Sequence, residues 1–266
     1  MAALRIALFV IGGLLALIAG VLAMVYWRQE SLLFQPEKLP DDFPLRQADV
    51  QEESIAVDGA RLSALHLKLP APKGVVFFLH GNAGSLASWF VNVDFYRQAN
   101  FDLYMIDYRG YGKSTGRIGS EAQLRQDVAA AWAQLAPQYR GKHLVVLGRS
   151  LGTALAAGLA AQVNPDLTIL VSPYWSMVEL AQLHYPVLPV SLLRYPLETH
   201  RDVARIATPL LLVHGERDAL IPVSQCRRLG AAAPAASVVV VSEAAHNDLQ
   251  DFPAYRQAIA DRLASL

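Results

Sequence analysis

Four short stretches of the sequence gather residue types that can carry nucleophilic chemistry, each directly after an apolar run. Gly148-Arg149-Ser150-Leu151-Gly152 follows Leu144 to Leu147, and His80-Gly81-Asn82-Ala83-Gly84-Ser85 follows Val75 to Leu79. Glu216-Arg217-Asp218 follows Leu210 to Val213, and His246-Asn247-Asp248 follows Val238 to Val241. A serine hydroxyl is a poor nucleophile unless a base takes its proton during attack. A histidine does this near neutral pH, and a carboxylate fixes its tautomer and stabilises the imidazolium that forms. Ser150, Asp218 and His246 occur in the order nucleophile, acid, base, and each sits at a strand end. An oxyanion also needs backbone donors, for which Leu151 N–H after the serine and Asn82 N–H in the glycine-containing loop are the candidates.

Each assignment has a plainer rival. Gly-x-Ser-x-Gly alone can be a chance pentapeptide. Here a β-branched run precedes it and an Ala/Leu segment with helical character follows to about Val163, the strand–turn–helix context in which the serine is lifted off the strand end. Gly148 and Gly152 then let neighbouring backbone approach a sharp turn. Glu216 rivals Asp218 as the acid, but Asp218 lies farther along the loop, where its side chain can reach the next strand end. A lone loop histidine is more often a surface hydrogen-bonding residue than a base. His80 is expected to be structural. His66, His143, His184, His200 and His214 lack ligand spacing, so neither metal nor cofactor is expected.

The elements that must position these groups follow from composition and pattern. Hydrophobic residues make up 53 % of the 266 and charged residues 17 %, which excludes a disordered chain and suggests a membrane contribution. With 23 basic against 23 acidic residues and no basic run, nothing attracts nucleic acid. The single cysteine, Cys226, excludes an internal disulfide and reads as a packing residue in a helix. Ile6 to Trp27 contains no charge and, as a helix, would be about 33 Å long, enough to cross a bilayer. Tyr26 and Trp27 fall where an aromatic interface belt would lie. A cleaved signal peptide ending at Val21-Leu22-Ala23 is the competing reading. The apolar run exceeds a usual signal core, which favours a retained anchor over residues 1–28. Arg5 and the amino terminus before the helix, set against Arg28 and Lys38 after it, favour the non-cytoplasmic side for the globular part.

Residues 29–52, with prolines at 36, 40 and 44, read as a linker, and 53–266 as one globular domain. Ser54 to Val57 and Arg61 to Leu69 alternate around Asp58-Gly59, a hairpin. Apolar runs at Val75 to Leu79, Leu103 to Ile106, Leu144 to Leu147, Leu167 to Val171, Leu210 to Val213 and Val238 to Val241 predict buried parallel strands. Helical patterns at Glu121 to Leu135, Thr153 to Val163, Val223 to Ala232 and Ala254 to Leu263 alternate with them. The fold class is therefore α/β, a mostly parallel sheet with helices on both faces, after one N-terminal transmembrane helix. Residues 174–201, rich in proline, leucine and aromatics, interrupt the alternation as a small cap insert. They supply either the domain's own core or an acyl-chain slot facing the bilayer. A linker of roughly 20 residues would allow that orientation and predicts that deleting residues 1–30 spares short soluble substrates.

His80-Gly81-Asn82-Ala83-Gly84, Tyr108-Arg109-Gly110-Tyr111-Gly112-Lys113-Ser114, Gly148 to Gly152, His214-Gly215-Glu216-Arg217-Asp218 and His246-Asn247-Asp248 together resemble the motifs of α/β-hydrolase-fold serine hydrolases. The subgroup most similar contains alpha/beta hydrolase domain-containing proteins 12, 13 and 17 and their bacterial relatives. The resemblance, covering about Ser31 to Leu266, implies Ser150 as nucleophile, Asp218 as acid and His246 as base, with Tyr108 to Ser114 a structural loop beside the site. It also implies an acyl hydrolase. The expected activity is thus that of a membrane-anchored serine hydrolase cleaving an ester or thioester of an apolar, lipid-like acyl substrate. An amidase or peptidase on the same residues is the alternative within enzymes, and a non-catalytic binding module the alternative outside them.

Overall fold

Apolar runs of four or five residues can hide from water only when both faces of their sheet are covered. A computed structural model, describing residues 1–45 and 47–266, shows them so arranged. Strands β1 (Val50–Val57) and β2 (Ala60–Leu67) form the hairpin around Asp58-Gly59, with Gly59 at φ +67°. Then come β3 (Gly74–Leu79), β4 (Phe101–Ile106), β5 (His143–Arg149), β6 (Leu167–Val171), β7 (Leu210–Gly215) and β8 (Ala236–Val241). Their order across the sheet is β8-β7-β6-β5-β3-β4-β2-β1. Strands β3 to β8 run parallel; β2 pairs antiparallel with β4, and β1 antiparallel with β2.

The helices are α1 (Ala2–Leu33), α2 (Leu86–Trp89), α3 (Val93–Ala99), α4 (Glu121–Leu135), α5 (Gly152–Val163), α6 (Met177–His184), α7 (Thr199–Val203), α8 (Val223–Ala232) and α9 (Pro253–Ala264). Alternation within a strand feeds two cores. Val75, Phe77 and Leu79 face the layer that holds α4, α5 and α8, while Val76 and Phe78 face the layer of α3 and α9. Helix α4 begins at Ser120, whose hydroxyl accepts the Gln123 N–H at 3.1 Å, and buries the stripe Leu124, Val128, Ala131 and Leu135. Cys226 of α8 is fully buried, and burial pushes its thiol up to about 12, which suits packing rather than reactivity.

One cross-brace ties α4 to the loop after β4. Arg109 Nε and Nη2 donate to Asp127 at 2.6 and 2.9 Å, with both side chains 5 % exposed. Asp127→Ala leaves the guanidinium buried and unpaired, so a loss of about 3–5 kcal/mol is expected, read as a lower urea midpoint at unchanged slope.

Two segments differ from the sequence expectation. The first helix does not stop near residue 28 but continues to Leu33, and its polar end docks on the domain. Gln29 is 3 % exposed. Its Nε2 donates to Leu192 O at 2.6 Å, and its Oε1 accepts the Arg194 N–H at 2.9 Å. Glu30 accepts from Arg194 Nη1 at 2.7 Å and from Tyr195 OH at 2.8 Å. Phe34 then packs edge-to-face on Tyr195, and Gln35–Pro36 pairs in parallel with Ala83–Gly84. Residues 29–36, read as the start of a linker, are thus anchored structure. The insert, in turn, divides its apolar residues. Tyr174, Tyr195 and Leu197 are in the core, whereas Tyr185 and Val187 are 62 % and 89 % exposed.

Residues 2–21 of α1 are exposed and stand clear of the domain. The most apolar window of the helix has a mean hydropathy of 2.8 and is 0 % buried, so the helix is long and apolar enough to cross a membrane.

Candidate active site

Register brings the four polar stretches to one edge of the sheet. Leu79 pairs with Gly148, Arg149 with Val171, Val171 with Val213, and Gly215 with Val241. The residues that follow these strand ends therefore emerge side by side, where ligands of open parallel sheets bind.

Ser150 occupies the tight turn between β5 and α5 at φ +52°, a left-handed conformation that a non-glycine residue holds only under local constraint. The constraint is visible. Ser150 N–H donates to Val171 O at 2.9 Å, and Thr153 donates to Ser150 O through both its N–H (2.9 Å) and its hydroxyl (2.6 Å). The flanking glycines serve close approach, as expected. A Cβ on Gly148 would lie 2.4 Å from Gly152 O, and one on Gly152 would lie 2.1 Å from Leu79 O.

His246 Nε2 lies 3.0 Å from Ser150 Oγ, and its Nδ1 lies 2.7 Å from Asp218 Oδ2. Because a carboxylate can only accept, the proton belongs on Nδ1, which leaves Nε2 free to accept the serine proton. The three candidate residues of the triad thus meet although they lie up to 96 positions apart. Asp218 is held from its other side, its Oδ1 accepting the Leu220 and Ile221 N–H groups at 3.0 and 2.7 Å. Burial on its own would raise this carboxyl. Bonds from His214, His246 and the Ile221 N–H outweigh it and hold the group well below the usual carboxylate range. The rival acid Glu216 is exposed and accepts from Ser242 Oγ at 2.6 Å, away from His246.

Asn82 and Leu151 both line the cavity that holds Ser150. Asn82 is fixed through its carbonyl, which accepts from Gln35 N–H at 2.8 Å and Tyr111 OH at 2.6 Å. Among the described residues, neither Asn82 N–H nor Leu151 N–H has an acceptor in the protein. His80 is fully buried and packs 4.3 Å from Tyr108, while Tyr108 OH donates to the His80 carbonyl at 2.8 Å. Its place is structural, and so is that of the Tyr108 to Ser114 loop, which Arg109 and Ser114 tie to neighbouring backbone.

Two supporting residues escaped the sequence reading. His214 is fully buried with Nε2 2.8 Å from Ile221 O and 3.3 Å from Asp218 Oδ2, so it braces the acid loop. Arg149 donates to His246 O at 3.2 Å and lies 5.5 Å above the Trp89 ring, steadying the histidine loop. Their positions, beside a candidate nucleophile and four residues before a candidate acid, were the only local signal. Asp248 adds a third brace by accepting the Ala245 N–H at 2.7 Å.

The cavity at Ser150 measures about 420 Å³. Larger hollows of about 810 and 730 Å³ exist, but Ser150, Asp218 and His246 line neither of them. Met177, Leu180 and Leu188 of the insert line the smaller cavity, as do Val25, Leu32 and Leu33 of α1. No Asp, Glu, Lys or Arg is found in its lining among the described residues.

Comparison with known proteins agrees with this architecture. Residues 70–190 match the family model described as serine aminopeptidase, S33. An uncharacterized protein of Mycobacterium tuberculosis is 32 % identical over 248 residues, covering 88 % of this chain and 86 % of its own. Alpha/beta hydrolase domain-containing protein 17B of Xenopus laevis is 28 % identical over 225 residues, covering 78 % and 74 % of the two chains. Among solved structures, a Pyrococcus furiosus esterase superposes with a TM-score of 0.71 at 19 % identity, covering 88 % of this chain and 97 % of its own. That last likeness speaks for the fold alone. The chain belongs to the α/β-hydrolase-fold family. Within that family it resembles the subgroup of alpha/beta hydrolase domain-containing proteins.

Proposed function

We propose that the protein is a membrane-anchored serine hydrolase cleaving carboxylic esters or thioesters of an apolar acyl chain. The observation that carries this reading is the continuous chain from Ser150 Oγ through His246 to Asp218, at 3.0 and 2.7 Å, opening on an apolar cavity. Ser150 Oγ attacks the acyl carbon while His246 Nε2 takes its proton, and the anionic Asp218 stabilises the imidazolium. The tetrahedral oxyanion lies against the N–H groups of Asn82 and Leu151, which need no reorganisation to receive it. Collapse breaks the bond to the alcohol or thiol, which leaves with the proton from His246. Water, activated by the same histidine, then attacks the acyl-serine and returns the free enzyme.

A lining without Asp, Glu, Lys or Arg among the described residues is what favours an acyl chain. A peptidase reading is suggested by the matched family's description, yet recognition of a charged peptide terminus would call for a carboxylate or a cation in the cavity. A panel of soluble acyl esters, thioesters and amides of graded chain length tests the choice. Esters or thioesters are expected to be turned over with a preference for chains beyond a few carbons. Turnover confined to amino-acyl amides overturns the proposal.

Helix α1 supplies the anchor in this reading, and Arg5 with the amino terminus keeps the other end on the cytoplasmic side. Mass measurement of the membrane-bound protein is expected to give the full chain; a mature form beginning after Ala23 would replace the anchor by a signal peptide.

A further inference from the structure

The cavity that holds Ser150 is closed on one side by the candidate membrane helix itself. Val25, Gln29 and Leu32 stand at i, i+4 and i+7 on α1, one face of the helix, and all three line the cavity with Ser150. Gln29 fixes that face by satisfying its amide on both sides, at Leu192 O and Arg194 N–H. Glu30 adds the ion pair to Arg194 and the bond from Tyr195 OH. These four contacts hold α1 against the insert at the place where the helix departs from the domain.

Beyond it the surface stays apolar. Toward the N-terminus α1 exposes Val21 and Met24 at 44 % and 60 %, and across the cavity the insert exposes Tyr185 at 62 %. Tyr185 and Val25 both line the cavity, so its rim lies between the apolar shaft of α1 and the insert. A soluble substrate would meet a greasy rim there. A chain lying in a bilayer would meet a continuation of its own surroundings.

We propose that α1 is a substrate-binding element as well as an anchor. Val25 and Leu32 form a wall of the acyl subsite, and the substrate is a membrane-resident amphiphile with an acyl chain. Its chain slides between α1 and the insert while its scissile carbonyl reaches Ser150. This rests on the reading of Ser150 as nucleophile and of α1 as anchor. From Val25 to Leu32 the wall extends roughly 10 Å along the helix, enough for the site to sense chain length. The expectation that deleting residues 1–30 spares short substrates is thereby reversed. Such a deletion removes Val25, Gln29 and Glu30, and with them both a wall and its fastening.

The test uses the full-length protein in detergent with p-nitrophenyl butyrate and p-nitrophenyl laurate. Val25→Trp and Leu32→Trp place an indole in the slot, and each is expected to lower the laurate-to-butyrate ratio of kcat/KM by about 10-fold or more. Leu14→Trp, on the exposed shaft and away from the cavity, should leave that ratio unchanged. Should the tryptophan variants fail to fold, Leu32→Ala decides, because widening the slot is expected to shift the preference toward longer chains. Fluorophosphonate labelling of Ser150 is measured in parallel. Normal labelling with an unaltered ratio in the wall variants overturns the role of α1. Absence of labelling in the unmodified protein overturns the reading of Ser150 instead.

Discussion

Ser150→Ala is expected to lower kcat/KM for any hydrolysed ester by a factor on the order of 10⁴ or more, the scale of losses when a catalytic serine is removed. Thermal unfolding should barely change, because the substitution deletes one hydroxyl at the edge of a cavity and keeps the Cβ. Ser150→Gly provides a sharper companion. It removes the same hydroxyl, but glycine adopts φ +52° without the constraint that Ser150 endures. The glycine variant should therefore be inactive yet more stable than the alanine variant, by about 1 kcal/mol. Calorimetry of the pair checks this; equal melting temperatures would mean that the elbow stores no strain.

Asp218→Asn is expected to cost a factor on the order of 10⁴ in kcat, because an amide can donate to His246 Nδ1 and trap the tautomer that cannot accept the serine proton. Glu216→Gln should stay within a few-fold of wild type, since among the described residues its only side-chain hydrogen-bond partner is Ser242 on the exposed rim. A crippled Glu216→Gln beside an active Asp218→Asn would reverse the assignment. The pH profile follows from the same geometry. With its folded value held well below the usual carboxylate range, Asp218 stays ionised to strongly acidic pH. An acid limb in kcat/KM above that range would therefore not come from Asp218. The linkage for stability has the depressed-acid sign. The contribution of Asp218 is complete above the ordinary aspartate value near 4 and is lost as pH falls toward its folded value.

How far the chain could be read locally depends on how local each cause is. Strands covered on both faces announce themselves as continuous apolar runs, and the serine, acid and histidine follow such runs directly, so order and spacing were enough to nominate them. Helix α6 carried a readable start as well, since Ser176 accepts the Glu179 N–H at 3.1 Å, the Ser-x-x-Glu pattern of a capped helix. The abundance of proline and aromatic residues in the insert obscured it. Helix α3 is bounded by Asn92 and Asn100, both left-handed, and is too short at seven residues to show a periodic stripe. The docking of α1 had no local signature at all. Gln29 and Glu30 look like the polar end of a membrane segment, and their partners lie 163 to 165 positions away. His214 and Arg149 were hidden for the same reason, each acting through a contact that only the tertiary fold creates.

The central claim is that Ser150 is an activated nucleophile, and an activated serine is the one group a fluorophosphonate modifies at micromolar concentration and neutral pH. Labelling the full-length protein, digesting it and mapping the adduct by mass spectrometry tests this most directly. A single adduct on Ser150, abolished in Ser150→Ala and strongly slowed in His246→Ala, is the predicted result. An adduct on another serine, or labelling of Ser150 that is indifferent to His246, would contradict it.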